Sequence, residues 1–190
     1  MKIIQYEEKY KLDCQNVLLK AVPKNQVKTK KGKLANLMLY CNFYLETSPK
    51  TCFMAVNEQD EAVGYVICHP CFKTFEKEFK ENYLKKLYKI SMRAGLLRSI
   101  MFIIEKRFAK VYNAHLHIDI LPNYQRMGLG HKLIDALKAK LIEDNVNGVY
   151  LIVGNINKKG VNFYKKYGFK KHASLMGQAT VFGLQSKLNK

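Results

Sequence analysis

Apolar positions along this chain keep two rhythms, one near 3.6 residues and one of two, and the switches between them mark out its elements. Lys2–Tyr6 alternates as a short strand. From about Glu7 to Lys20 a helix follows, with Tyr10, Cys14, Val17, Leu18 and then Ala21 returning at helical spacing. The lysine-rich stretch from Pro23 to Lys33 reads as a loop. Leu34 to Leu45 resumes a helix with Leu34, Leu37, Met38, Cys41 and Leu45 on one face, and Ser48-Pro49 stops it. Thr51–Val56 and Ala62–Cys68 are β-rich runs around a five-residue polar connection, the pattern of a hairpin.

Phe72 to Phe108 is a long basic helical region broken near Ser91–Gly95. Its aromatics Phe72, Phe75, Phe79, Tyr83 and Tyr88 read as a core-facing stripe in preference to a membrane-binding face. After it the rhythm changes to strand Ala114–Leu121, helix Gly128–Glu143, strand Val149–Val153 and helix Lys158–Tyr167. Two strands, Phe169–Leu175 and Ala179–Leu184, close the chain. Strands alternating with helices, then a hairpin, predict an α/β (α+β) sheet with helices on both faces. No repeat or low-complexity linker interrupts residues 1–190, so a single domain is expected.

Charge narrows the partners. The 190 residues carry 33 Lys+Arg against 15 Asp+Glu, a formal net charge of +18. Only Arg93, Arg98, Arg107 and Arg126 are arginines, whereas base readout and bidentate phosphate clamping favour that residue. Diffuse lysine fits a solvated surface, so nucleic acid is not expected as the primary partner. The odd set of five cysteines, mostly within apolar runs, reads as reduced core thiols of a cytoplasmic protein. Residues 1–20 are charged throughout, with no signal-peptide core. The apolar run from Gly95 to Ile104 is broken by Arg98 and is too short to span a bilayer, so no membrane partner is expected.

The chemistry concentrates in two places. Gln125-Arg126-Met127-Gly128-Leu129-Gly130-His131 joins a strand to a helix. Its alternate glycines let a ligand approach the backbone, and the helix start adds unpaired N–H donors and partial positive charge, together a site for phosphate or pyrophosphate. An ordinary strand-to-helix turn is the competing reading. Leu133 stands where a Rossmann fingerprint needs its third glycine, and a Walker A loop is absent. On the preceding strand, alternation puts His115, His117 and Asp119 on one face and Leu116, Ile118 and Ile120 on the other. The polar trio either lines a cleft as proton acceptors or forms a structural hydrogen-bond network. No metal is expected, because the histidines lack a matching ligand pair and Cys68-His69-Pro70-Cys71 has no second pair.

Gln125 to Gly130 resembles the Gln/Arg-x-x-Gly-x-Gly/Ala motif of the GNAT superfamily of acyl-CoA-dependent N-acetyltransferases. Asn157 to Phe169 resembles that family's Asn-x-x-Ala-x-x-Phe-Tyr-x-x-x-Gly-Phe segment, with Gly160 in place of alanine. Ala114 to Pro122 is similar to one subgroup, which includes the acetyltransferase-like domain attached to some O-GlcNAc hydrolases and carries His-Leu-His-Ile-Asp-x-Leu-Pro. The resemblance is strongest over 110–175.

It implies a mixed, largely antiparallel sheet splayed at its centre, with acetyl-CoA between strands four and five and a helical insertion over about 72–110. Gln125, Arg126, Met127, Gly128, Leu129, Gly130 and His131 would anchor the pyrophosphate, and Asn157 the pantetheine arm or phosphate region. A backbone N–H near Ile120 and Leu121 would polarise the thioester, and Tyr164 would protonate the leaving thiolate. His115, His117 or Asp119 would deprotonate the amine; the histone-modifying branch's glutamate is missing, Ala114 standing near its place. The implied function is acetyl transfer to a primary amine of a small-molecule acceptor by direct attack, in a monomer or homodimer. The alternative is a catalytically weak or inactive acyl-CoA-binding or interaction domain. Cations of the insertion suggest an acceptor with acidic groups.

Overall fold

The computed structural model describes residues 1–186. Seven strands form one sheet: β1 (Lys2–Gln5), β2 (Phe53–Val56), β3 (Ala62–His69), β4 (Ala114–Ile120), β5 (Gly148–Gly154), β6 (Lys170–Leu175) and β7 (Ala179–Gln185). Their order is β1-β2-β3-β4-β5-β7-β6, and every pair is antiparallel except β4–β5. This is the mixed, mostly antiparallel architecture expected. The parallel pair is also the shortest ladder of all, confined to Ala114–Val149 and His115–Tyr150. Beyond those residues β4 and β5 part, and the sheet opens between them.

Side-chain alternation divides the core into two layers. Met54, Tyr65, Ile67 and Tyr150 point to one face, beneath the helices that precede β4. These are α1 (Lys11–Ala21), α2 (Lys30–Leu37), α3 (Phe43–Thr47), α4 (Phe72–Phe79), α5 (Lys85–Ile90) and α6 (Met92–Phe108). Ala55, Val66, Leu116, Leu151 and Phe182 point to the other face. There they meet Leu133, Ile134, Leu137 and Leu141 of α7 (Leu129–Glu143) and Tyr164 of α8 (Lys158–Tyr167).

Two boundaries differ from the sequence reading. The 23–33 stretch holds a 3-10 turn at Lys24–Gln26, and α2 starts within it at Lys30. Thr29 Oγ1 accepts from the Gly32 N–H at 3.0 Å, a helix-starting cap that needs no apolar residue. The helix around Leu34–Leu45 is interrupted by a wide π turn over Met38–Asn42, which turns Tyr40 toward the sheet.

The insertion folds as expected, α4 and α5 joined by a second wide turn and broken from α6 at Ser91, whose Oγ caps the Ala94 N–H. Phe72, Phe75, Phe79 and Tyr83 are buried, Phe75 packing edge-on against Phe43 and Phe79 against Phe102, and Tyr88 is half-buried, so the aromatic stripe faces the core. Four cysteines are likewise buried free thiols, and Cys71 is half-buried.

Candidate active site

Three elements meet where the sheet opens. β4 supplies the floor. Its polar residues face the α1–α6 layer, with Asp119 opposite Tyr65 in the β3–β4 register and bonded to the Tyr65 hydroxyl at 2.7 Å. His115 is buried, its Nδ1 sharing a 2.8 Å hydrogen bond with the Tyr44 hydroxyl. The His117 ring lies between them, edge-on to Tyr40 at 5.1 Å and to Tyr44 at 5.2 Å. Tyr40, Tyr44 and Tyr65 therefore complete this face. Nothing in the local sequence marks them, because each reaches β4 from a distant segment.

Burial acts on the three titratable groups in opposite senses. It penalises the charged form of each, so the His115 imidazolium is strongly disfavoured and His117 is pushed down to about 3, with the Arg98 cation adding to the effect. The same penalty pushes Asp119 up to about 7, against the hydrogen bond from Tyr65. Of the expected trio, Asp119 alone is poised to exchange a proton near neutrality. His115 is tied into the tyrosine network.

Main-chain groups of β4 are set by the ladder. The Leu121 N–H donates to the Val63 carbonyl at 2.9 Å, which makes that pair a hydrogen-bonded one. Alternation along an antiparallel ladder then turns the N–H of Ile120 away from β3, toward the opening. The Ile120 carbonyl points the same way and accepts from Gln125 Nε2 at 3.0 Å. Of the two amides expected to polarise a carbonyl, that of Leu121 is already occupied within the sheet and that of Ile120 is the free one.

The glycine turn forms the second wall. Arg126 and Gly128 both adopt left-handed backbone, at φ 65° and 76°, and Gly128 starts α7. The first backbone bond into the helix is Lys132 N–H to the Gly128 carbonyl, so the amides of Arg126, Met127, Gly128, Leu129, Gly130 and His131 donate to no backbone carbonyl. An ideal Cβ at Gly128 meets nothing within 4 Å, so the space beside that residue is open. At Gly130 a Cβ would come within 2.9 Å of the Phe163 ring, which packs the turn against α8. This cradle fits an anionic diphosphate.

α8 is the third wall. Asn157 Oδ1 caps it by accepting the Gly160 N–H at 2.9 Å, leaving the side-chain NH2 exposed. A Cβ at residue 160 would lie 2.7 Å from that Nδ2, so an alanine there would need the Asn157 side chain to shift. Tyr164 is buried among Phe163, Phe169 and Phe182. Burial, and the Asp119 carboxylate across the opening, hold its phenol protonated well above the usual range.

The cations of the insertion, Arg98 apart, are exposed to solvent. Arg98 alone turns inward; it is buried against Glu105, to which it is ion-paired. Among the described residues, no group of three His, Cys, Asp or Glu side chains is placed to hold a metal ion.

Comparison with known proteins follows the same lines. The model of the "Acetyltransferase (GNAT) family" matches residues 26–169. The crystal structure of SsHAT is similar over 98% of both chains, at 21% identity and a TM-score of 0.86. Ribosomal-protein-S18-alanine N-acetyltransferase from Escherichia coli is 16% identical with a TM-score of 0.57, over 100% of this chain and 96% of that one. PaiA N-acetyltransferase from Thermoplasma acidophilum, solved in complex with coenzyme A, is 12% identical with a TM-score of 0.62, over 97% of this chain and 98% of that one.

Proposed function

Because this chain belongs to the acetyltransferase (GNAT) family, we propose that it moves an acetyl group from acetyl-CoA to a primary amine, with Asp119 as proton acceptor and Tyr164 as proton donor. The observation that carries this reading is the meeting, at one opening of the sheet, of a free-amide cradle, the unpaired Ile120 N–H, a carboxyl with a pKa of about 7 and a protonated phenol.

Each residue has a task that follows from its surroundings. The amides of Met127 to His131 bind the diphosphate, and the exposed Asn157 amide donates to the pantetheine arm. Acetyl-CoA, when bound, supplies the activated acyl group. The Ile120 N–H faces the thioester carbonyl and stabilises negative charge developing on its oxygen. Asp119 takes one proton from the ammonium, the neutral amine nitrogen forms the new C–N bond, the C–S bond breaks as Tyr164 protonates the thiolate, and the second proton leaving the new amide nitrogen restores the Tyr164 phenol. His117, neutral at physiological pH, lines the acceptor side. His115 holds Tyr44 and the strand in place.

The test couples binding with turnover. Calorimetric titration with coenzyme A should give saturable heat. With a panel of amines, Tyr164→Phe should lower kcat about 10²–10⁴-fold, the usual range for a lost general acid, while coenzyme A affinity stays. Binding without turnover of any amine would support the non-catalytic reading, and full activity of Tyr164→Phe would remove Tyr164 as donor.

A further inference from the structure

α6 is built inside out. Its inward face carries Gly95, Arg98, Phe102, Glu105 and Phe108, so the two charges that a soluble helix would show to water are buried and paired. Its outward face carries Met92, Leu96, Leu97, Ile100 and Ile103, each between 46% and 69% exposed. These five recur on one side of the helix over about 16 Å at 1.5 Å per residue. Single exposed aliphatic side chains need no explanation, but a continuous row of them on one helix marks a contact surface.

Charge decides what the row contacts. Every exposed ionisable side chain from residue 84 to residue 113 is a cation, with Lys89 and Arg93 at one end of the row and Arg107 and Lys110 at the other. Among the described residues, only Lys106 of this set reaches an acid, Glu76 at 3.1 Å. A second copy laid on α6 would bring two such cationic rims together, which opposes self-association through this face. A convex apolar ridge between basic ends instead suits a flat, anionic, apolar-cored surface.

We infer that α6 is a peripheral membrane contact, its aliphatic row entering the headgroup–acyl boundary of an anionic bilayer while the flanking lysines and arginines meet lipid phosphates. No helix among the described residues is long and apolar enough to cross a membrane, so the contact is interfacial. It revises the expectation that lipid plays no part, and moves the amphipathic face from α4–α5, where the aromatics are core, to the outer side of α6.

The full chain is tested by co-sedimentation with vesicles of phosphatidylcholine alone and of phosphatidylcholine mixed with phosphatidylglycerol. Binding is expected to the mixed vesicles only and to weaken with salt. Ile100→Ser and Leu96→Ser change no charge and touch exposed positions, so circular dichroism and melting should match the parent. Each should nonetheless lower the vesicle partition about tenfold, the scale set by losing the burial of one aliphatic side chain. Arg93→Gln should also weaken binding and flatten its salt dependence. Unchanged binding of both serine variants would mean diffuse attraction by the net charge and would overturn the proposal. So would no binding to anionic vesicles, or a dimer in solution that Ile100→Ser dissolves.

Discussion

Asp119 and His117 share one face of β4 and one apolar environment, yet they end as different kinds of proton carrier. Lifted from its ordinary 3.8 to about 7, Asp119 should give kcat/KM a rise with pH around an apparent pKa near 7. Asp119→Asn should abolish that rise along with most activity, whereas His117→Gln should leave its midpoint in place. Stability follows with the opposite sense. Below about pH 4 the carboxyl is neutral in both folded and unfolded chains and costs nothing. Between pH 4 and 7 the unfolded chain ionises first, so wild-type stability falls as pH rises. Asp119→Asn lacks that loss and should match wild type near pH 4 but exceed it above pH 7. Full expression of the shift caps the gain at about 4 kcal/mol, read from denaturant midpoints at each pH.

Among the elements, α6 shows most clearly what the sequence withholds. Its helical rhythm and its start at Ser91 are legible, because Ser91 is a capping residue and Phe102 and Phe108 keep the period. That Arg98 and Glu105 face inward is not legible, since charges on a helix are read as its wet side. α2 fails in the converse way: Lys30, Lys31 and Lys33 offer no apolar period, so only the Thr29 cap announces its start. The glycine turn and the β4 trio were readable because spacing alone defines them. Their tyrosine partners were not, as Tyr65 and Tyr44 lie 54 and 71 residues away from Asp119 and His115 and are brought there by strand register and by the packing of α3 on the sheet, respectively. The α6 pair gives a direct test. Arg98→Met strands Glu105 in the core and should cost about 3–5 kcal/mol in urea unfolding, while Arg98→Met with Glu105→Leu should recover most of that loss.

At the scale of the whole molecule, helices on both faces of a sheet follow from the sequence's alternation, whereas the parting of β4 from β5 was legible only through the family resemblance, because both strands keep their period through it. That parting leaves a seam in the middle of the sheet. The amides of Ile118 and Ile120 sit in a central strand yet face a gap, so in deuterated buffer they should exchange like those of a border strand, far faster than the Asp119 amide that bonds across to β3. Coenzyme A should slow them selectively, and equal exchange of Ile118, Asp119 and Ile120 in the free protein would mean that the gap closes in solution. The sheet therefore keeps its most sociable edge in its interior, where only a narrow guest can complete it and another protein's strand cannot reach.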